Sequence, residues 1–306
     1  MGAHLPERGE RSREQTCLRQ LPAADCQLPI ADCRLQTSGV RYQAQENGLR
    51  STHPPTEPSK LEIVPDRLKQ LLRKFPKLWQ AAHAVNDARL YAQSMIKGSF
   101  SQHGEDLSIM NLLIAKGARG PYVDIGCNHP FRLSNTYLLY LNGWRGLCVD
   151  PLPRFRKLYQ RWRPEDQFES AAINDTPGAV TLYEFGWDAL STLSPEVAAS
   201  YIKEGIELVG EVKVEAYPLN LLLERNNISA PICLLSIDIE GRELSALQSI
   251  DLSKWAPLYV CLEVTTADGT KDIGATQYLL NRGYTQALSV GRNILFERQH
   301  YGRAMD

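Results

Sequence analysis

Four apolar runs in this chain carry a carboxylate at or next to their ends, and that pattern restricts the fold more than any other feature. Pro121-Tyr-Val-Asp-Ile-Gly126 carries Asp124, and Gly146-Leu-Cys-Val-Asp150 ends on Asp150. Ile232-Cys-Leu-Leu-Ser-Ile-Asp238 ends on Asp238, with Glu240 just beyond, and the run 258–264 carries Glu263. An ionised carboxylate is costly inside an apolar run unless it emerges into a polar cleft. Short apolar runs separated by stretches of helical spacing predict strands alternating with helices. That order implies a mostly parallel α/β sheet with helices on both faces. Ligands bind such sheets beyond the carboxyl ends of the strands, so the four acidic ends mark one rim of the sheet as the binding rim.

The remaining elements follow from spacing and punctuation. Leu68, Leu71, Leu72, Phe75, Leu78, Trp79 and Ala82 fall at helical spacing within 65–97, with Pro76 breaking the stretch or opening a second helix. This stretch is basic; a membrane-surface helix and a helix packed on the main domain with a solvated face are its two readings. Ser101 is placed to cap a helix carrying Leu107, Met110, Leu113 and Ile114. Residues 168–173 read as a third strand. Strand-like 180–185 and 212–217 flank an excursion in which Ser194-Pro195-Glu196 starts a helix and Gly205 stops it. Runs 284–290 and 293–297 close as a hairpin across Gly291-Arg292 and supply an antiparallel edge strand.

Residues 1–59 have a different texture, rich in Pro, Gln, Arg, Ser and Thr, with a seven-residue repeat at Leu21 and Leu28. They read as a disordered tail. The organisation expected is this tail at 1–59, a helical extension at 60–98 and an α/β domain at 99–306. A net charge of -1 gives no global pull toward nucleic acid or an anionic membrane. No apolar run spans a bilayer. The seven cysteines form no C-x-x-C pair, which disfavours a zinc or thioredoxin-like centre. Free buried thiols suit a reducing cytoplasm. There is no G-x-G-x-x-G and no P-loop, so the dinucleotide and nucleoside-triphosphate fingerprints are missing.

Seven short motifs then stand in order: Ser101-Gln-His-Gly-Glu-Asp106, Tyr122-Val-Asp-Ile-Gly-Cys-Asn-His-Pro130, Ser134-Asn-Thr-Tyr137, Gly143-Trp-Arg-Gly146, Asp150-Pro151, Ala171-Ala-Ile173 and Ser236-Ile-Asp-Ile-Glu-Gly-Arg-Glu243. Over about 99–298 the chain resembles the FkbM family of methyltransferases. The departures are mild: Cys127 where the family often has Ala, and Asp150 where Glu is also common. The resemblance implies a Rossmann-like class I methyltransferase fold with a seven-stranded sheet. It also implies S-adenosylmethionine (SAM) as donor and a hydroxyl on a saccharide or natural product as acceptor.

Carried over by position, the resemblance implies that Asp124, Gly126 and Asn128 line the methionine end of SAM. It has Asp150 hold the ribose, and Ser170 and Ala171 lie against the adenine. Gln102 and Glu105 close the pocket from a preceding helix, and Asp238 to Glu240 reach the reacting centre. Gln102 and Glu105 also have a plainer reading as a helix N-terminus, where Glu is favourable. His129 has two readings as well, a base for the acceptor hydroxyl or a cap of the next helix. Asp238 is the first candidate base, ahead of His129 and Glu240. Asp238, Glu240 and Glu263 are alternatively candidate ligands of a hard cation such as Mg²⁺. The rival functional readings are a non-catalytic SAM-fold binding module and a nicotinamide oxidoreductase without the usual glycine fingerprint.

Overall fold

The computed structural model describes residues 75–264 and 273–299. Its first helix, α1 (Pro76–Lys97), has proline in its first turn, where the missing N–H had no intrahelical partner to lose. It stops at Gly98, whose φ of 73° is the left-handed cap that glycine adopts without a Cβ clash. The basic stretch 65–74 that precedes it lies outside the described residues, as does the repeat-bearing segment 1–59. α2 (Glu105–Ala115) begins later than the sequence suggests, after Gly104. Ser101 Oγ still accepts the N–H groups of Gly104 and Asp106 at 3.1 and 3.3 Å, but from the loop before the helix.

The alternating part follows as β1 (Tyr122–Ile125), α3 (Tyr137–Leu141), β2 (Gly146–Val149), α4 (Phe155–Trp162) and β3 (Gln167–Glu169). The excursion comprises β4 (Ala172–Ile173), β5 (Gly178–Phe185), a 3-10 turn at Asp188–Leu190, α5 (Pro195–Lys203) and β6 (Leu208–Tyr217). The chain then adds α6 (Leu219–Arg225), β7 (Leu234–Ile237), α7 (Glu243–Gln248), α8 (Leu252–Trp255) and β8 (Tyr259–Glu263). It closes with α9 (Ile273–Leu280), β9 (Tyr284–Val290) and β10 (Asn293–Arg298).

Seven strands form one sheet in the order β3-β2-β1-β7-β8-β10-β9. β1 pairs in parallel with both β2 and β7, and β8 extends the parallel run. β10 alone runs against its neighbours. The closing hairpin supplies the antiparallel-paired edge strand the sequence predicts, β9, while β10, reversed against both neighbours, sits one place in, between β8 and β9. The burial pattern gives the reason: Asn293, Leu295 and Phe296 of β10 are buried, whereas β9 is exposed from Thr285 to Ser289 and suits the edge.

The 168–173 run is also not one strand. β3 pairs with β2, the chain breaks at Ser170-Ala171, and β4 joins a second sheet ordered β4-β6-β5. That break carries the chain off the main sheet and over the binding rim.

Alternate residues of each strand feed two apolar layers, as period-2 side-chain geometry requires. Val123, Ile125, Leu147, Val149, Leu235, Ile237, Val260 and Leu262 pack with Leu222 and Leu223 of α6 and Leu247 of α7. Tyr122, Cys148, Leu234, Tyr259 and Cys261 face the other way, onto Ile109 and Leu113 of α2, Leu139 of α3 and Phe155 and Tyr159 of α4. Burial on both faces explains why the strands read as continuous apolar runs. α1 docks through Leu90 and Tyr91 on a satellite cluster of Phe100, Phe131 and Tyr137. Among the described residues no helix is long and apolar enough to cross a membrane. Cys127, Cys148, Cys233 and Cys261 are buried and free.

Candidate active site

The carboxyl ends of β1, β2, β7 and β8 open into one cleft. Its wall includes Gln102, Glu105, Asp124, Gly126, Asn128, Asp150, Ala171, Asp238 and Glu240. Ser170 and His129, both expected there, are absent from it.

The β1 end is set by sterics. Gly126 has φ 78°, and a Cβ on it would lie 1.8 Å from the Asp238 carbonyl oxygen. The glycine is thus demanded by the approach of β7 as well as by the turn. Asp124 turns back toward the buried layer, where Thr136 Oγ1 donates to its Oδ2 at 2.5 Å. Burial raises the Asp124 carboxyl above its usual range, against the nearby Arg163 guanidinium, which lowers it. Asn128, at φ 46°, gives its backbone N–H to Asp150 Oδ2 (3.0 Å), and Leu152 N–H reaches Asp150 Oδ1 (2.9 Å). Burial nevertheless pushes Asp150 up to about 7. Each Asp150 oxygen keeps a lone pair for a hydroxyl donor.

Ala171 forms the wall beside Asp150 with Leu152, Ala172 and Leu182. Ser170 turns away, its hydroxyl 3.5 Å from the Pro151 carbonyl, because the strand breaks there to change sheets. Gln102 reaches the cavity from the loop before α2, not from the helix. Glu105 does both jobs the sequence offered it. It opens α2, and its carboxylate accepts the His103 N–H (2.7 Å) and Asn293 Nδ2–H (3.1 Å) at the cavity wall.

Of the two readings of His129, the geometry agrees with the structural one and not with a base at the acceptor. Its Nδ1 faces the N–H groups of Phe131 and Arg132 at 3.4 and 3.3 Å, and its Nε2 lies 3.8 Å from Asp87 on α1. The ring braces the turn and faces the helix docked on it, outside the cavity.

Three carboxylates meet at the far end. One oxygen from each of Asp238, Glu240 and Glu263 lies within 4.8 Å of the others. Burial raises both Asp238 and Glu263, and the charges of Asp238 and Glu240 raise Glu263 further. Arg292 Nε sits 3.0 Å from Glu263, and the Tyr201 hydroxyl donates to Glu240 Oε2. Burial first, then the charge of Asp238, push Glu240 up to about 8. The arrangement accepts protons or, with the protons displaced, a hard cation.

Several contributors escaped the sequence reading. Arg163 is fully buried and donates to Asp166 (2.6 Å), Tyr122 (2.8 Å) and Thr136 (3.0 Å). It stands behind Asp124 through Thr136. Arg154 ties the loop after β2 to the excursion through Glu184 and Asp188, at 2.6 and 2.7 Å. From the excursion, Trp187, Asp188 and Ser191 line the cavity, while Thr192 does not.

Sheet order, crossover helices and an acid-lined cleft at the carboxyl ends define a Rossmann-like methyltransferase architecture. The chain belongs to the FkbM methyltransferase family, whose domain matches residues 124–285. Solved structures similar to it include a TehB-like SAM-dependent methyltransferase from Corynebacterium glutamicum. That one has 13% identity over 72% of this chain and 100% of that chain, with a TM-score of 0.37. A methyltransferase from Geobacter sulfurreducens has 10% identity over 77% and 97%, with a TM-score of 0.37. A Burkholderia thailandensis 1,6-didemethyltoxoflavin-N1-methyltransferase, solved with 1,6-didemethyltoxoflavin and S-adenosylhomocysteine, has 12% identity over 76% and 88%, with a TM-score of 0.33. No curated protein matches the chain significantly.

Proposed function

We propose that this methyltransferase takes its methyl group from SAM and delivers it to a hydroxyl of a saccharide or natural-product acceptor. The observation that carries the reading is the division of one cavity into two chemistries. At one end Asp150 stands beside apolar Ala171, Leu152 and Leu182; at the other stand Asp238, Glu240 and Glu263. The donor set fits SAM. Asp150 suits two ribose hydroxyls, the apolar wall suits a flat base, and Asp124 suits the cationic methionine part.

When bound, SAM supplies a methyl on a sulfonium that leaves readily, so alignment is the protein's main contribution. Asp238 takes the proton of the acceptor hydroxyl, beside a Glu263 that burial and the charges of Asp238 and Glu240 raise. Glu240 accepts or donates a hydrogen bond at the same hydroxyl. Trp187 and Ser191 supply a flat apolar face and a hydroxyl at the acceptor end, a pairing suited to a sugar ring. The convergence of the three carboxylates favours one second reading, a Mg²⁺-type cation held by them that lowers the hydroxyl pKa. Metal analysis of the purified chain and turnover after chelation separate the two.

The test of donor binding is calorimetric titration of SAM into the full chain and its Asp124→Ala and Asp150→Ala variants. Binding in the micromolar range, about -8 kcal/mol, lost in both folded variants, supports the reading. Folded wild-type protein that takes up no SAM would overturn it.

A further inference from the structure

Glu240 is held in the cavity from outside its own strand. Its φ is 51°, in the left-handed region that a side chain with a Cβ enters only under constraint. Two hydrogen bonds from the excursion supply that constraint. Thr192 Oγ1 donates to the Glu240 carbonyl at 2.8 Å, and the Tyr201 hydroxyl donates to the Glu240 carboxylate. Both donors are themselves fixed. Thr192 is 1% exposed and pairs its backbone with Tyr183 at 2.9 and 3.1 Å. Tyr201, also 1% exposed, packs edge-on against Phe185 in the small apolar cluster of the excursion. The next residue leaves no slack, because a Cβ on Gly241 would come within 2.9 Å of Val197 on α5.

We propose that Tyr201, with Thr192, is a positioning residue for methyl transfer: the excursion that walls the acceptor end also locks Glu240 in the orientation the acceptor hydroxyl meets. This inference rests on the proposed hydroxyl-methylating function. It adds that the acceptor wall and the group aimed at the acceptor are one mechanical unit. At the donor end the direct hydrogen bonds to Asp124 and Asp150 come from Thr136, Asn128 and Leu152, and the excursion reaches that end through Leu182 and the Arg154 ion pairs.

The test uses the full chain and methyl-labelled SAM with a panel of monosaccharides, uronates and phenolic glycosides as acceptors. Four proteins are compared: wild type, Tyr201→Phe, Glu240→Gln and the double variant. Tyr201→Phe is expected to lower kcat with the best acceptor by about tenfold to a hundredfold. Its melting temperature and calorimetric Kd for SAM are expected to stay within error of wild type. In the Glu240→Gln background the same change is expected to cost less than threefold, because Tyr201 acts through Glu240. Wild-type turnover with Tyr201→Phe unimpaired overturns the inference alone. So does an undiminished loss in the double variant, which would make Tyr201 merely structural. SAM binding without wild-type turnover on any acceptor in the panel removes the hydroxyl-transfer reading and this inference with it.

Discussion

Arg163 shows how far a site extends behind the atoms that line it. It is a fully buried arginine, and its counter-charge, Asp166, is buried with it. Asp166 accepts from Arg163 Nε and the Gly146 N–H, and Tyr122 donates to it as well. Removing one partner of such a pair leaves an uncompensated charge in the interior. Arg163→Met is therefore expected to cost about 3–5 kcal/mol, read as a fall in urea midpoint, and to weaken SAM binding as Thr136 and Asp124 lose their backing. Arg163→Lys should not rescue it, because an ammonium cannot hold the guanidinium's divergent partners. No local feature of residues 161–163 marks this role, because the partners of Arg163 at Tyr122 and Thr136 are distant in sequence. Asp124, Asp150, Asp238 and Glu263 were legible as cavity-facing because a carboxylate in an apolar run has few other places to go. Ser170 and His129 misled because the direction of a side chain depends on a strand break and on a packed neighbour helix. Neither leaves a local signature.

At the scale of elements, the excursion divides what local chemistry announces from what it conceals. α5 begins and ends where its signals stand: Ser194 Oγ accepts the Val197 N–H at 3.2 Å, proline follows in the first turn, and Gly205 lies just past the end at φ 82°. Such a cap is worth about 1 kcal/mol. Ser194→Ala is expected to shift the urea midpoint by that amount with the slope unchanged. It should also lower acceptor turnover more than SAM affinity, since α5 carries Tyr201. What the sequence concealed is the destination of the excursion. The 168–173 run is uniformly strand-like, and no residue type marks the point where a strand leaves one sheet for another. The reversed strand was legible as a hairpin partner. Its place inside the sheet became visible only from the unequal burial of β9 and β10.

The whole molecule crowds carboxyl groups onto one rim, and this has a consequence for stability against pH. Burial raises Asp150 to about 7 and Glu243 to about 7, from unfolded values near 4 (about 3.9 and 4.3). Asp124 is raised as well, again by burial first. A carboxyl whose folded pKa is raised binds more protons in the folded than in the unfolded chain across the window between the two values. Its stabilising contribution is therefore complete below about pH 4 and is lost as pH rises through about 7. Of the lowered acids, Glu165 and Glu196 are exposed and their pairs are screened, and the half-buried Glu169 pairs with an exposed Arg225, so they oppose this little. At about 2.6 kcal/mol for each of Asp150 and Glu243, the ligand-free chain is expected to lose about 5 kcal/mol between pH 5 and 8, measured by urea denaturation at fixed ionic strength. A cation bound beside Asp124 and Asp150 favours their ionised forms and so opposes that loss. The thermal stabilisation given by saturating SAM should accordingly grow from pH 6 to pH 8. A SAM shift that is flat across that range, or that shrinks, would separate the cofactor from the buried acids and return the rim to a purely structural role.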